Sequence, residues 1–444
     1  MLPIRAGIAA VAILSAGRAA GTVDAPGVFF TVPQANARGT PSDPPEVSVS
    51  ANGRHVAFTS FARLAPKDTN DCADIYVLDR VTGRVTLESL APDGRASSRA
   101  SARPHLAGDG RLLIYETIDG AAGAGRLPRW VVVLRDRVTG ATRLLERPGI
   151  PANGGNRDAA ISADGRVVVF TSTASNLTDG PDANESGDDV YSVEVASMTI
   201  RRVSVDAAGR QPAAGASFAP AVSADGRYIV FSSTAPLDGA VGRPAVATGR
   251  PQVNVYLRDM TLGLTTRISV RAGSAAPNGS SYEPAISGDG RYVAFVSDAT
   301  NLVAHDDNRA ADVFLRDLRT GTTELVSRSA SGGSANGPSG HPAISGDGGI
   351  VAFQSDASDL FCGRQCASAV RDINLVADIF AFDRASRVIR RVSTGRTPWM
   401  EPSIGPAVDA TGTVIAFSSR HPIDARDDRD DYDLFIRVPG RLRP

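Results

Sequence analysis

The 444-residue chain is poor in cysteine, lysine, aromatic residues and unbalanced charge, and the shortages of cysteine and of unbalanced charge each close off a class of protein. Three cysteines are too few for a disulfide-built scaffold. Lys+Arg is 47 against Asp+Glu 48, a formal net charge of -1, so no basic excess draws the chain to nucleic acid or an anionic membrane. Lys67 is the single lysine; with abundant Ala and Gly, this reads as a codon preference and carries no arginine-specific chemistry. No continuous run of 18 apolar residues occurs, so no spanning helix or stable membrane insertion is expected. Catalytic signatures are missing as well: there is no Gly-x-Ser-x-Gly elbow, no His-Glu-x-x-His and no phosphate loop.

What the chain has is turns. Gly (44) and Pro (28) make about 16% of it, above the ~12% of average proteins and below the ~25% of low-complexity disorder. With 42% hydrophobic residues it can still bury a sizeable core. At ~150 residues per domain the length alone would suggest about three domains.

The N-terminus reads as an address. Arg5 precedes an apolar run from Ala6 to Ala16, and small residues follow through Gly17, Ala19 and Ala20. That order is a secretory signal peptide over residues 1–20, cut near Ala19/Ala20. The mature chain is expected to be soluble, and periplasmic or secreted.

A phrase near Pro284-Ala-Ile-Ser-Gly-Asp-Gly290 recurs at Pro104, Ala159, Pro220 and Pro342, with looser copies at Asn52-Gly53 and Thr411-Gly412. The turn glycines 53, 110, 165, 226, 290, 348 and 412 recur about every 60 residues, a repeat architecture. Each unit is all β. A short strand A meets an Asp-Gly or Asn-Gly hairpin turn, where Gly tolerates positive φ. Strand B (for example Arg291–Ser297) is apolar on both faces and so is sandwiched. After a longer polar loop comes strand C (Asp74–Asp79, Asp312–Asp317, Asp378–Asp383), then an Asp-x-x-Thr-Gly turn and strand D. Four antiparallel strands, seven times, with no amphipathic helix, predict a seven-bladed β-propeller occupying residues 21–444. Its blades start near 45, 103, 158, 219, 283, 341 and 405. The last unit lacks a strand D, and residues 27–32 form an orphan strand, so that strand is expected to complete blade seven and leave no open edge.

The shared pattern is Ser-x-Asp-Gly-x-x-(apolar)-Ala-Phe, then Asp-(Ile/Val)-(Tyr/Phe)-x-x-Asp-x-x-Thr-Gly. Over residues 43–437 it resembles the TolB-type, WD-like (PD-type) propeller repeats of exported bacterial proteins. The resemblance implies the fold and the compartment. TolB itself carries an N-terminal α/β domain before a six-bladed ring; this sequence shows neither, so a Tol–Pal role is not implied.

Function is expected on the face bearing the variable B–C and D–A loops. The residue three before the strand-A Ile or Val should ring the channel mouth: Glu46, Arg103, Asp158, Ala219, Glu283, His341 and Gly405. Mixed charge there suits a small polar ligand, a peptide terminus or a metal. The B–C loops repeat an Asp-x-Asn-x3-Asp spacing at Asp68/Asn70/Asp74, Asp182/Asn184/Asp188, Asp306/Asn308/Asp312 and Asp372/Asn374/Asp378, with a degenerate copy at Asp427/Arg429/Asp433. Alternating oxygens on a turn can gather Ca2+, best at Asp182-Ala-Asn184-Glu-Ser186-Gly-Asp188, although the closing Glu is replaced by Val193. The same residues also suit turn caps, and recurrence in several blades favours caps. Cys362 and Cys366 are expected to form a local disulfide in an oxidising compartment, with Cys72 free or bridged to a neighbouring loop. His55 and His105 fall on strands as core or interface residues. No catalytic residue is assigned and no cofactor is required.

The expected function is therefore a monomeric binding scaffold for a protein, peptide or small polar ligand. The alternative is a carbohydrate-active hydrolase or lyase using channel carboxylates such as Glu46, Asp158 and Glu283.

Overall fold

The computed structural model describes residues 28–32, 46–91, 96–119, 128–185, 187–239, 251–271, 276–360, 376–393, 401–420 and 432–438. Its 28 strands form seven separate four-stranded antiparallel sheets, one per repeat, and the described residues contain no helix. The protein is a seven-bladed β-propeller. The last blade takes its outer strand from the other end of the chain. Val28–Val32 pairs antiparallel with Asp433–Val438, Val28 opposite Val438 and Val32 opposite Leu434.

The doubly apolar strands B and C put the core in the slots between blades. Seven apolar clusters occupy the seven interfaces. One joins Phe170 and Tyr191 of blade three to Ile114 and Leu134 of blade two. Another closes the ring by packing Val56 and Phe58 of blade one against Ala416 and Ile436 of blade seven. The scarce aromatics are concentrated here. In six blades the strand-B Phe stacks on the strand-C aromatic, as Phe58 on Tyr76 and Phe295 on Phe314, both with centroids 5.9 Å apart.

The hairpin turns complete the interfaces. Gly290 has φ +72°, and a Cβ there would strike the Tyr228 ring of the preceding blade, so both backbone and packing require glycine. The small residue two before the glycine of each turn forms a second closure. Asn52 N donates to Gly108 O (3.4 Å), Gly108 N to Ala163 O (2.8 Å), and Ala410 N to Ala51 O (3.1 Å). The remaining blade pairs are linked likewise, by Asp164 N to Ala224 O, Ala224 N to Gly288 O, Asp289 N to Gly346 O and Asp347 N to Ala410 O. A backbone hydrogen bond therefore crosses every blade interface at this end of the channel. Only Ala or Gly occupies these positions, and at Gly108 even a Cβ would lie 2.8 Å from Ala163 O.

Within blades, the Arg after the turn forks onto the Asp that ends strand C. Arg54–Asp79, Arg111–Asp136, Arg227–Asp259 and Arg291–Asp317 all close to 2.7 Å. These bonds hold the Asp79, Asp136 and Asp317 carboxyls well below the usual carboxylate range, chiefly by hydrogen bonding from the guanidinium.

Candidate functional site

The strand-A residues of all seven blades line a central cavity of about 770 Å3. The residues at its mouth stand on a repeated backbone irregularity. In blades two to seven the A–B register slips at this point, as between Ala102 and His105 or between Tyr282 and Ala285. Two residues of strand A oppose one of strand B, which is a β-bulge. The first bulge residue is Arg103, Asp158, Ala219, Glu283, His341 or Gly405, and φ is +50° to +62° at all six. Five of these are not glycine, and each costs about 1–2 kcal/mol in the left-handed region. Such strain persists where a site needs a side chain aimed in one direction.

The expected ring does not act as seven equivalent positions. It separates into two groups. On one side Arg103 Nε donates to Glu46 Oε1 (3.0 Å) and Arg103 Nη1 to Asp158 Oδ1 (2.6 Å). Arg103 Nη1 also lies 3.6 Å from Glu116 Oε2, and Arg157 continues the chain to Asp158 (3.6 Å) and Asp188 (2.5 Å). Four carboxylates thus share two guanidinium groups. On the other side His341 N donates to Glu283 Oε2 (3.0 Å), with His341 Nδ1 3.5 Å from the same oxygen. Ala219 and Gly405 add no charge.

The acidic chain is short of donors. Glu46 Oε2, Glu116 Oε1 and Asp188 Oδ1 are buried with no hydrogen-bond partner. Burial raises the Glu46 carboxyl in spite of Arg103. Burial likewise pushes Glu116 up to about 7, against the Arg103 charge and helped by the Asp158 charge. Arg103 is itself partly desolvated, which opposes its charge, but Glu116, Asp158 and Glu46 together hold its proton more tightly than usual.

Glu116, Arg157 and Asp188 were not among the residues expected at the mouth. Glu116 had a signal in the sequence. It follows the strand-B aromatic, where the other blades carry Thr59, Thr171, Ser232, Val296, Gln354 and Ser418, and it is the one charged residue of the set. Asp188 was placed by spacing in the wrong role. The calcium-like spacing treats Asp188 as the counterpart of Asp74, but strand C of blade three begins at Asp189, one residue later. Ser204 Oγ donates to Asp189 Oδ1, as Ser89 Oγ does to Asp74 Oδ1, and the slip frees Asp188 to reach Arg157.

His105 also departs from expectation. It does not pack in the core; it faces the lumen one tier below the mouth. Its counterparts there are Ser48, Ala160, Ala221, Ala285, Ala343 and Ala407, so a single imidazole points into a tier of small side chains. The surrounding protein lowers it to about 4 by desolvation, which keeps the ring neutral. His55 does sit at an interface, against Gly110 of the next blade.

In the B–C loops the Asp and Asn side chains mostly bond one another. Asn70 Nδ2 donates to Asp74 Oδ2 (2.9 Å) and to Ser97 O (2.7 Å), and Tyr76 Oη to Asp68 Oδ2 (2.5 Å). Asn308 Nδ2 makes the same bonds to Asp312 Oδ2 and Ala335 O, while Ser393 Oγ donates to Asp378 Oδ1. In blade three the Gln211 amide nitrogen lies 2.6–2.7 Å from Asp182 Oδ1, Asn184 Oδ1 and Asp189 Oδ2, where a cation would otherwise sit. This is the geometry of caps tying the loop to strands C and D. Among the described residues no three His, Cys, Asp or Glu side chains gather as a metal site. Ser186, Asp372, Asn374, Asp427, Arg429, Cys362 and Cys366, with the segment 1–20 expected to be a signal peptide, lie outside the described residues. Cys72 is a free thiol, its Sγ 3.6 Å from Ser98 O.

No family profile and no curated protein sequence matches the chain. Its fold is similar to an oligogalacturonate lyase in complex with manganese, at 13% identity and TM-score 0.53, over 94% of this chain and 97% of that one. It is similar to the β-propeller domain of the Trilobed protease from Pyrococcus furiosus, at 11% identity and TM-score 0.52, over 90% of this chain and 100% of that one. That domain is described as having an open velcro topology, whereas here the N-terminal strand closes the last blade. A putative TolB from Agrobacterium tumefaciens aligns at 19% identity over 64% of this chain and 81% of that one, at TM-score 0.38. At these identities the likenesses describe the fold.

Proposed function

We propose that this propeller is an exported binding module that receives the positively charged, donor-rich end of a peptide or protein in its acidic mouth. The observation that carries the reading is the chain Glu46–Arg103–Glu116/Asp158–Arg157–Asp188, with more carboxylates than guanidinium groups and three buried acceptor oxygens lacking donors. An ammonium group brings three N–H donors and a positive charge, so it reduces both deficits. The ring closed by strand pairing and by backbone bonds at the turn end holds these side chains in place, so binding needs little ordering of the site.

The test uses short peptides with a free N-terminal amine and their N-acetylated twins, titrated calorimetrically into the leaderless protein. Free-amine peptides should bind at least about tenfold tighter, a difference lost in E46Q/D158N and weakened by salt. Equal binding of the acetylated peptides would refute the reading. The carbohydrate-active alternative has one geometric support, the Glu283–His341 pair facing a lumen with the neutral His105. Sugar release that E283Q abolishes would establish that alternative instead.

A further inference from the structure

The B–C loop of each described blade that buries an aspartate at its head also supplies that aspartate with a partner, except one. In blade one Tyr76 Oη donates to Asp68. In blade three Gln211 Nε2 donates to Asp182, with Arg202 3.6 Å away. In blade four the loop aspartate, Asp238, is not buried, and Arg267 lies 3.2 Å from it. Blade five has Asp306, only 4% exposed, and its Oδ1 is buried with no hydrogen-bond partner.

The missing partner follows from two residues. Phe314 replaces the tyrosine, stacking on Phe295 at the same 5.9 Å that separates Tyr76 from Phe58. Leu325, its cross-strand neighbour, occupies the place of Arg202 and Arg267. Blade five therefore offers neither a hydroxyl nor a guanidinium. The surrounding charge makes the deficit worse. Asp307 raises the Asp306 carboxyl further after burial has done so, and Asp306 and Asp359 both act in the same direction on Asp312. Asp312 has its own donors, Ser327 and Asn308. A carboxylate among acids, taken out of water without a donor, is unfavourable until a proton or a cation joins it, and at neutral pH the cation is the available partner.

We propose that the fifth blade's B–C loop binds one Ca2+ through the Asp306 carboxylate, in the place that Tyr76, Gln211 or Arg267 fills in the other blades. In this proposal the remaining oxygens that the hard cation requires come from the loop backbone and water. His305 (φ +63°) and Arg309 (φ +57°) flank Asp306 in the left-handed region. The site is independent of the channel mouth and of the function proposed for it.

The test is equilibrium dialysis against Ca2+ and thermal melting, after chelator treatment, of the leaderless full chain and two variants. D306N removes the charge in nearly the same volume. F314Y installs the hydroxyl that blade one already accommodates. The wild type should bind about one equivalent, and its Tm should rise by about 3–5 °C at a hundredfold excess over Kd. Both variants should lose the equivalent and the shift, and F314Y should match or exceed the chelated wild type in Tm. Absence of Ca2+ binding by the wild type would overturn the proposal, and so would undiminished binding in D306N or F314Y.

Discussion

Glu116→Gln should stabilise this protein above neutral pH and not in acid. The Glu116 side chain is 2% exposed on strand B of blade two, with Oε1 lacking any donor and Arg103 3.6 Å from Oε2. Burial moves its titration from the 4.5 of an ordinary glutamate to about 7. At 1.36 kcal/mol per pH decade, ionising it costs on the order of 3 kcal/mol more in the folded than in the unfolded chain. The folded pKa is the higher one, so between pH ~4.5 and ~7 the native state holds a proton that the unfolded state has released. Stability from this group is therefore greatest at or below pH ~4.5, falls as pH rises through that window, and is level above it. Glutamine removes the ionisation while Arg103 keeps Glu46 and Asp158. The Tm difference between E116Q and wild type should be near zero at pH 4.5 and reach about 3–6 °C at pH 8, for a chain of this length. Calorimetric melts at half-unit pH steps would measure it. A pH-independent difference, or one that grows toward acid, would refute the burial argument.

Two further outcomes test the ring itself. Gly108→Ala places a Cβ 2.8 Å from Ala163 O and should lose about 1–3 kcal/mol in urea unfolding, a cost absent if the turn-end ring is loose. Deleting residues 28–32 removes five cross-strand pairs with Asp433–Val438. It should lower stability by about 1–5 kcal/mol and make size-exclusion profiles concentration-dependent, because an unpaired edge strand recruits another chain. A monomer of unchanged stability would show that the backbone bonds at the turn end close the ring unaided.

The blade count was legible because hairpin chemistry is local: an Asp-Gly pair every ~60 residues marks each turn wherever the chain goes. The positions at the mouth were legible too, since they stand at a fixed offset before the apolar residue that ends strand A. The proline that follows five of them, such as Pro104 or Pro284, marks where the bulge lies. What those residues do to one another was not legible. Glu46, Arg103 and Asp158 are 57 and 55 residues apart, and only the packing of neighbouring blades brings them within hydrogen-bond distance. A one-residue difference in loop length decided that Asp189, and not Asp188, anchors strand D. Strand side chains alternate with period two, so such a slip exchanges a structural role for one at the mouth.

The sequence by itself determined the repeat, the strands and the closure of blade seven, because each depends on short-range turn chemistry and on apolar pattern. It also determined that charge at the mouth is mixed, since the residue types and their offset are written in each copy. The tertiary structure alone decided the imbalance of that charge: which carboxylates share a guanidinium, which oxygens are left without donors, and that His105 faces the lumen among alanines. These are properties of side chains from neighbouring blades meeting across an interface, and spacing along one blade contains no information about the blade beside it.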